Sequence, residues 1–112
     1  MALDTGTLVN QMTAAGQNLG GTLWQDMQVY ALPELKKIAI QIVAIEESML
    51  MPNPPYTAAG AQALLNMQIT ASVGVIVAMT TLTMLAVQAA LNQMLTAVKD
   101  MVNTAAHFTL IA

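Results

Sequence analysis

The chain contains no cysteine and no arginine. Without cysteine there is no disulfide framework and no thiolate metal site, and the redox compartment stays open. Without arginine, the only cations are Lys36, Lys37 and Lys99, too few and too scattered for the basic patch that phosphate binding needs. The net charge of -3 points the same way, so no nucleic-acid partner is expected, and the lysines make a poor anchor for anionic lipid. Charge of either sign is scarce, at 8% of 112 residues where an ordinary soluble domain carries about 25%. The first 20 residues lack a basic n-region and a continuous apolar run, and they include Asp4, Gln11, Gln17 and Asn18. No cleavable signal peptide is therefore evident.

Catalytic constellations are missing too. His107 is the only histidine, with no carboxylate cluster beside it, and reads as a surface or tail residue. Glu46 and Glu47 are adjacent, so on a helix they diverge by about 100° and form no facing acid–base pair. They read as marking where a helix meets water, or as partners for a lysine. No phosphate-binding loop, nucleophile elbow or metal-spacing motif is present. The ten methionines read as adaptable packing rather than soft-metal ligands. The expectation is a non-enzymatic protein with no cofactor, no metal and no small-molecule substrate.

What the chain does have is apolar surface: 56% of its residues are hydrophobic. A protein this small exposes much of its surface and normally covers it with charge. One all-α unit is expected over residues 1–112. Residues 1–32 give short helices, one capped by Thr5 or Thr7 and ended by Gly16 and the Gly20-Gly21 pair, another placing Leu23, Trp24, Met27 and Tyr30 at helical spacing. Trp24 and Tyr30 suit a membrane–water interface or, equally, a gap between helices. A helix over 33–50 starts at Pro33, favoured at a first helical position, with Glu34 beside it at the positive end of the dipole. Leu35, Ile38, Ile42, Ile45 and Met49 form its apolar stripe. The proline-rich MPNPPYTAAG that follows cannot continue a helix, and the spacing predicts the turn of a hairpin at 51–57, with Thr57 capping the next helix.

After that turn there is no proline, and the residues predict one long apolar helix over 58–104, about 70 Å of rod, with an apolar tail at 105–112. No charged residue occurs between Ser48 and Val98. Within that stretch Ile69 to Leu91 is a transmembrane candidate, since its Thr and Ser hydroxyls can bond back to the preceding turn. Its polar residues are ordered: Gln62, Asn66 and Thr70 step by four, and Thr81, Gln88, Asn92, Lys99 and Asn103 step by seven and four. A packed assembly has use for such a stripe, because amides can bond across helices. Ala71, Gly74 and Ala78 form a small ridge that lets two helices approach closely. The expected helix-packing residues are therefore Ala71, Gly74, Ala78, Thr81, Gln88 and Asn92.

In outline, the proline-turned apolar hairpin resembles the subunits of conjugative pili and the hydrophobic capsid proteins of some filamentous or spindle-shaped viruses. The likeness lies in architecture alone. Conjugative pilins usually carry a long leader and a basic loop between their helices, whereas MPNPPYTAAG is uncharged. The resemblance implies a subunit that combines assembly with lipid contact. Two functions follow as expectations. The first is a structural subunit that self-assembles into a tube, filament or shell, its partners being copies of itself and lipid. The second is a membrane-inserted pore or anchor, such as a lysis, DNA-ejection or secretion component. A soluble helical interaction module is third. The expected location is a membrane or an extracellular or virion assembly.

Overall fold

A computed structural model describes residues 3–112. These form four helices: α1 (Thr5–Gln17), α2 (Leu23–Met49), α3 (Ala58–Met79) and α4 (Met84–Ala106). The all-helical class is as expected, as is a long apolar helix beginning at Ala58. α1 packs on α2 and α4, α3 packs on α2 and α4, and α2 also touches α4. The molecule is elongated, 45 × 22 × 20 Å, and α2 alone, 27 residues or about 40 Å, runs nearly its whole length.

Three boundaries differ from expectation, each for a local reason. α1 is capped by Asp4 rather than Thr5 or Thr7: its carboxylate accepts the Thr7 N–H at 2.8 Å and the Thr7 hydroxyl at 3.0 Å. Gly16 does not end α1 but lies inside it, while Gly21, at φ +67, takes the left-handed turn into α2.

Pro33 does not start a helix either. It lies within α2, which begins ten residues earlier. The buried residues Trp24, Met27, Ala31, Leu35, Ile38, Ile42 and Ile45 explain this, since they step by three and four straight through the proline. Pro33 itself faces outward, and the carbonyl it leaves unpaired belongs to Val29, which is 70% exposed and open to water. Core burial on one face thus outweighs the loss of one hydrogen bond on the other.

The expected 58–104 helix is interrupted at residues 80–83, so Ile69 to Leu91 is not one continuous span. The sequence there is TTLT. The Thr80 hydroxyl donates to the Ile76 carbonyl at 2.7 Å and accepts the Leu82 N–H at 3.2 Å, replacing helical bonds. Thr83, in extended conformation, then caps α4 by accepting the Ala86 N–H. At the other turn Thr57 caps α3 as expected, accepting the Gly60 N–H at 3.0 Å.

The core runs through all four helices. Leu8 and Met12 of α1, Met27, Ile38 and Ile42 of α2, Leu65 and Ile76 of α3, and Leu91 and Met94 of α4 belong to one cluster. At Gly16 the packing is tight: a Cβ there would lie 2.6 Å from the Trp24 ring and 3.2 Å from the Met94 methyl.

Candidate functional site

α3 contributes least to the core for its composition. Its mean hydropathy reaches 1.4, long and apolar enough to cross a membrane by length and composition. The core helix of a soluble protein meets the same measure, but such a helix would be mostly buried, and only 22% of this stretch is. Its buried residues are Ala61, Leu65, Ser72, Val73 and Ile76, a single narrow stripe. Leu64, Ile69 and Val77 flank that stripe half-buried, Gln62, Asn66 and Thr70 lie on the side of α4, and the remaining face is apolar and open. Met67 is 68% exposed and Met79 55%, and Leu85 at the start of α4 extends the surface at 77%. Exposed apolar area gathered on one element marks an interaction surface more often than singly scattered residues do.

Within this outer face the structure places the small ridge. Ala71, Gly74 and Ala78 are all exposed, Gly74 bordering the cavity that Gln88 and Asn92 also line, and a Cβ added at Gly74 would meet nothing within 4 Å. The ridge therefore packs on no other part of this chain. Thr81 is exposed in the 80–83 break, apart from the helical ridge.

Gln88 and Asn92 are brought together with the α3 part of the polar stripe. Thr70, Gln88 and Asn92 line one cavity of about 380 Å³, and Gln62, Asn66 and Asn92 line another of about 420 Å³. The two share Ile69 and Asn92, forming one groove between α3 and α4. The chain's own tail forms part of the lining of the second cavity. Leu110 and Ile111 are buried there, and both their N–H groups donate to the Asn103 side-chain oxygen at 2.9 Å. The Asn103 amide returns a bond to the Ile111 carbonyl at 2.9 Å, and the Gln62 amide donates to the Thr109 carbonyl. His107, at φ 64, makes the reversal that sends the tail back along α4. Asn103 continues the polar run of Gln88 and Asn92 along α4 and reaches the tail rather than the cavity lining. Its task as a tail clamp went unread, although Leu110 and Ile111 follow it by seven and eight residues.

Trp24 is buried inside the bundle against Gly16, the gap-filling position, and Tyr30 is half-buried. Two glutamates depart from expectation. Glu46 does not meet water: it is fully buried and accepts the Leu3 N–H on both oxygens, at 3.2 and 3.3 Å, tying the start of the chain to the end of α2. Glu47 is exposed. Glu34 is not at a helix start but in mid-helix, buried and paired with Lys37 at 3.0 Å. Neither buried glutamate was legible, because each sits next to apolar residues at no diagnostic spacing.

Asp4, Thr7, Asp100 and His107 share the rim of a further cavity of about 630 Å³ whose floor is Leu3, Met101 and Ala105. The Thr7 backbone N–H, and after it the Thr7 hydroxyl, hold the Asp4 carboxyl below the ordinary carboxylate value. Among the described residues no three His, Cys, Asp or Glu side chains gather as a metal site. The arrangement offers contact surface and hydrogen-bonding amides. Comparison with protein-family models, with curated proteins and with solved structures finds no match.

Proposed function

We propose that this protein is a non-enzymatic structural subunit that self-assembles through apolar helix packing into a tube, filament or shell, pilus-like or virion-like, with lipid in contact. The observation that carries this reading is the position of α3. Only 22% of the residues in the most apolar stretch of the chain are buried, and that helix leaves Met67, Met79 and the Ala71–Gly74–Ala78 ridge exposed. A surface of that kind is stable only when a neighbour covers it, and heterologous contacts between identical copies propagate. Scarcity of charge from Ser48 to Val98 removes the usual barrier to such contacts.

A second reading has its own observation. α3 is 22 residues long and uncharged, so it has the length of a membrane span, and a membrane-inserted pore or anchor (a lysis, DNA-ejection or secretion component) would place it in lipid. That would require the bundle to open, exposing Leu65 and Ile76 to lipid and separating them from the core.

Sedimentation of the purified protein in detergent-free buffer, followed by negative-stain microscopy, separates the two. Regular tubes, filaments or shells are the expected result. A shapeless pellet that resolves into a discrete oligomer once detergent is added would overturn the subunit reading in favour of membrane insertion.

A further inference from the structure

The chain is rich in methionine, and the fold does not use all of it for packing. Met12, Met27 and Met94 are fully buried, one each on α1, α2 and α4. Met51, Met67, Met79 and Met84 are each more than half exposed. Three of these four lie around the α3 ridge. Met67, Ala71, Gly74 and Ala78 step by four, three and four, so Met67 stands in line with the small residues at one end of the ridge. Met79 follows Ala78 directly, and Met84, across the 80–83 break, borders the same cavity as Gly74. On α3 and α4 only Val75 and Leu85 are otherwise large, apolar and exposed, so thioethers supply most of the large side chains here.

A thioether differs from the other apolar side chains in being open to mild oxidation. Its sulfur lone pair attacks the terminal oxygen of a hydroperoxide, and the O–O bond breaks. The leaving hydroxide or alkoxide takes the proton of the transferred hydroxyl and departs as water or an alcohol. Sulfur has then lost two electrons to the peroxide and become a sulfoxide. That product is polar and accepts hydrogen bonds, whereas a neighbour that suits the thioether faces it with apolar atoms. The same neighbour leaves a sulfoxide oxygen buried and unsatisfied, which opposes association. No charged side chain on α3 compensates, since α3 carries none.

We infer that Met67, Met79 and Met84 form a redox-sensitive modification site: a hydroperoxide converts their thioethers to sulfoxides, which prevents a second copy from covering the α3 face. Met12, Met27 and Met94 are out of reach while the bundle is folded, so the fold survives the oxidation of its outer face. The return step belongs to reductases specific for each sulfoxide epimer. In it two thiols are oxidised to a disulfide, the thioether is restored and the oxygen leaves as water. The inference rests on the self-assembly reading and adds its regulation.

In the test, the unsubstituted protein is held dilute enough to stay in the supernatant, treated with hydrogen peroxide, freed of it and then concentrated. Peptide mass should place one oxygen on each of Met51, Met67, Met79 and Met84 and none on Met12, Met27 or Met94, with helical circular dichroism unchanged. The concentration at which regular particles pellet should rise at least about tenfold. Reductases for both epimers, with dithiothreitol, should return it to the untreated value. Met67→Leu with Met79→Leu and Met84→Leu keeps the apolar volume and removes the thioethers. Peroxide should leave the threshold of that triple variant unmoved, although Met51 is still oxidised. Sulfoxide on all three sites with an unmoved threshold in the unsubstituted protein would overturn the inference. So would a threshold that the reductases fail to restore, or one that moves as far in the triple variant. Absence of particles from the untreated protein would instead sink the self-assembly reading, and this inference with it.

Discussion

Two glycines on this chain carry opposite consequences, and the difference lies in what surrounds them. At Gly16 the Trp24 ring would stand 2.6 Å from an added Cβ, a distance that forces the ring or the helix to move. Gly16→Ala is therefore expected to destabilise the fold by about 1–3 kcal/mol despite the better helix propensity of alanine. Gly74 faces open space in the middle of α3, so Gly74→Ala gains propensity at no steric cost and should stabilise by about 0.5–1 kcal/mol. Urea denaturation of the two variants checks both, and equal effects of one sign would show that the Gly16 contact is not tight. Asp4 offers a third test. Its folded-state pKa is lowered from 3.8 by the two bonds from Thr7. A group with a depressed folded pKa stabilises fully above its unfolded value and loses that contribution as pH falls through the folded one. The protection of the Thr7 and Leu8 amides, taken relative to the intrinsic exchange rate at each pH, should thus be full at neutral pH and fall as the solution is acidified below 3.8. Asp4→Asn, which keeps a capping oxygen without the charge, should abolish that acid-dependent step. A step of unchanged size in Asp4→Asn would place its origin elsewhere.

At the scale of the element, α2 shows how far a stripe can outvote a helix breaker. An interior proline costs about 3 kcal/mol relative to alanine, yet α2 runs through Pro33 because Trp24, Met27, Ala31 and Leu35 lie on one continuous face. Pro33→Ala restores an N–H to an exposed turn but also frees the unfolded chain, which offsets up to about 1 kcal/mol. A net gain near 2 kcal/mol is expected, measurable by chemical denaturation. A loss instead would mean that the proline ring itself packs. The same element explains what the sequence disclosed and what it hid. The two apolar segments on either side of Pro33 were both visible, but the proline was taken as a helix start, because a local steric rule was weighed without the long-range burial that overrides it. The reverse happened at residues 80–83. Ala, Leu and Met on both sides predicted one rod, while the hydroxyls of Thr80 and Thr83 turn the backbone through bonds that helix propensity does not count. Thr57 was legible because its cap follows a proline cluster that leaves no other place to begin. The polar stripe of Gln62, Asn66, Thr70, Gln88 and Asn92 was legible as a face, since period alone defines one. What lines one end of that groove, the tail from Phe108 onward, was not legible, because five residues carry no periodicity.

At the scale of the whole molecule, the bundle separates its charge from its apolar surface. All nine charged residues belong to the start of the chain, to α2 and to the end of α4, and α3 carries none. The α3 face is thus the one outer surface that water has least reason to favour, and a modest change there should be decisive. Met67 and Met79 are both exposed and neither belongs to the core cluster, so Met67→Glu with Met79→Lys leaves every buried contact in place. Surface substitutions away from packed features usually shift stability by within about 0.5 kcal/mol, so the thermal midpoint of the variant in dilute solution should be close to that of the parent. Association is another matter. If α3 is the covered face, each new charge must be desolvated without a partner at every copy-to-copy contact, at about 1–3 kcal/mol or more per buried group. Because each subunit in a repeating array makes the contact at least once, that cost recurs along the whole assembly. The expected outcome is a double variant that stays in the supernatant as a folded monomer under conditions in which the parent pellets as regular particles. If the double variant sediments like the parent, with its helical circular dichroism unchanged, then the outer face of α3 is not the covered surface and the self-assembly contact does not run through Met67 and Met79.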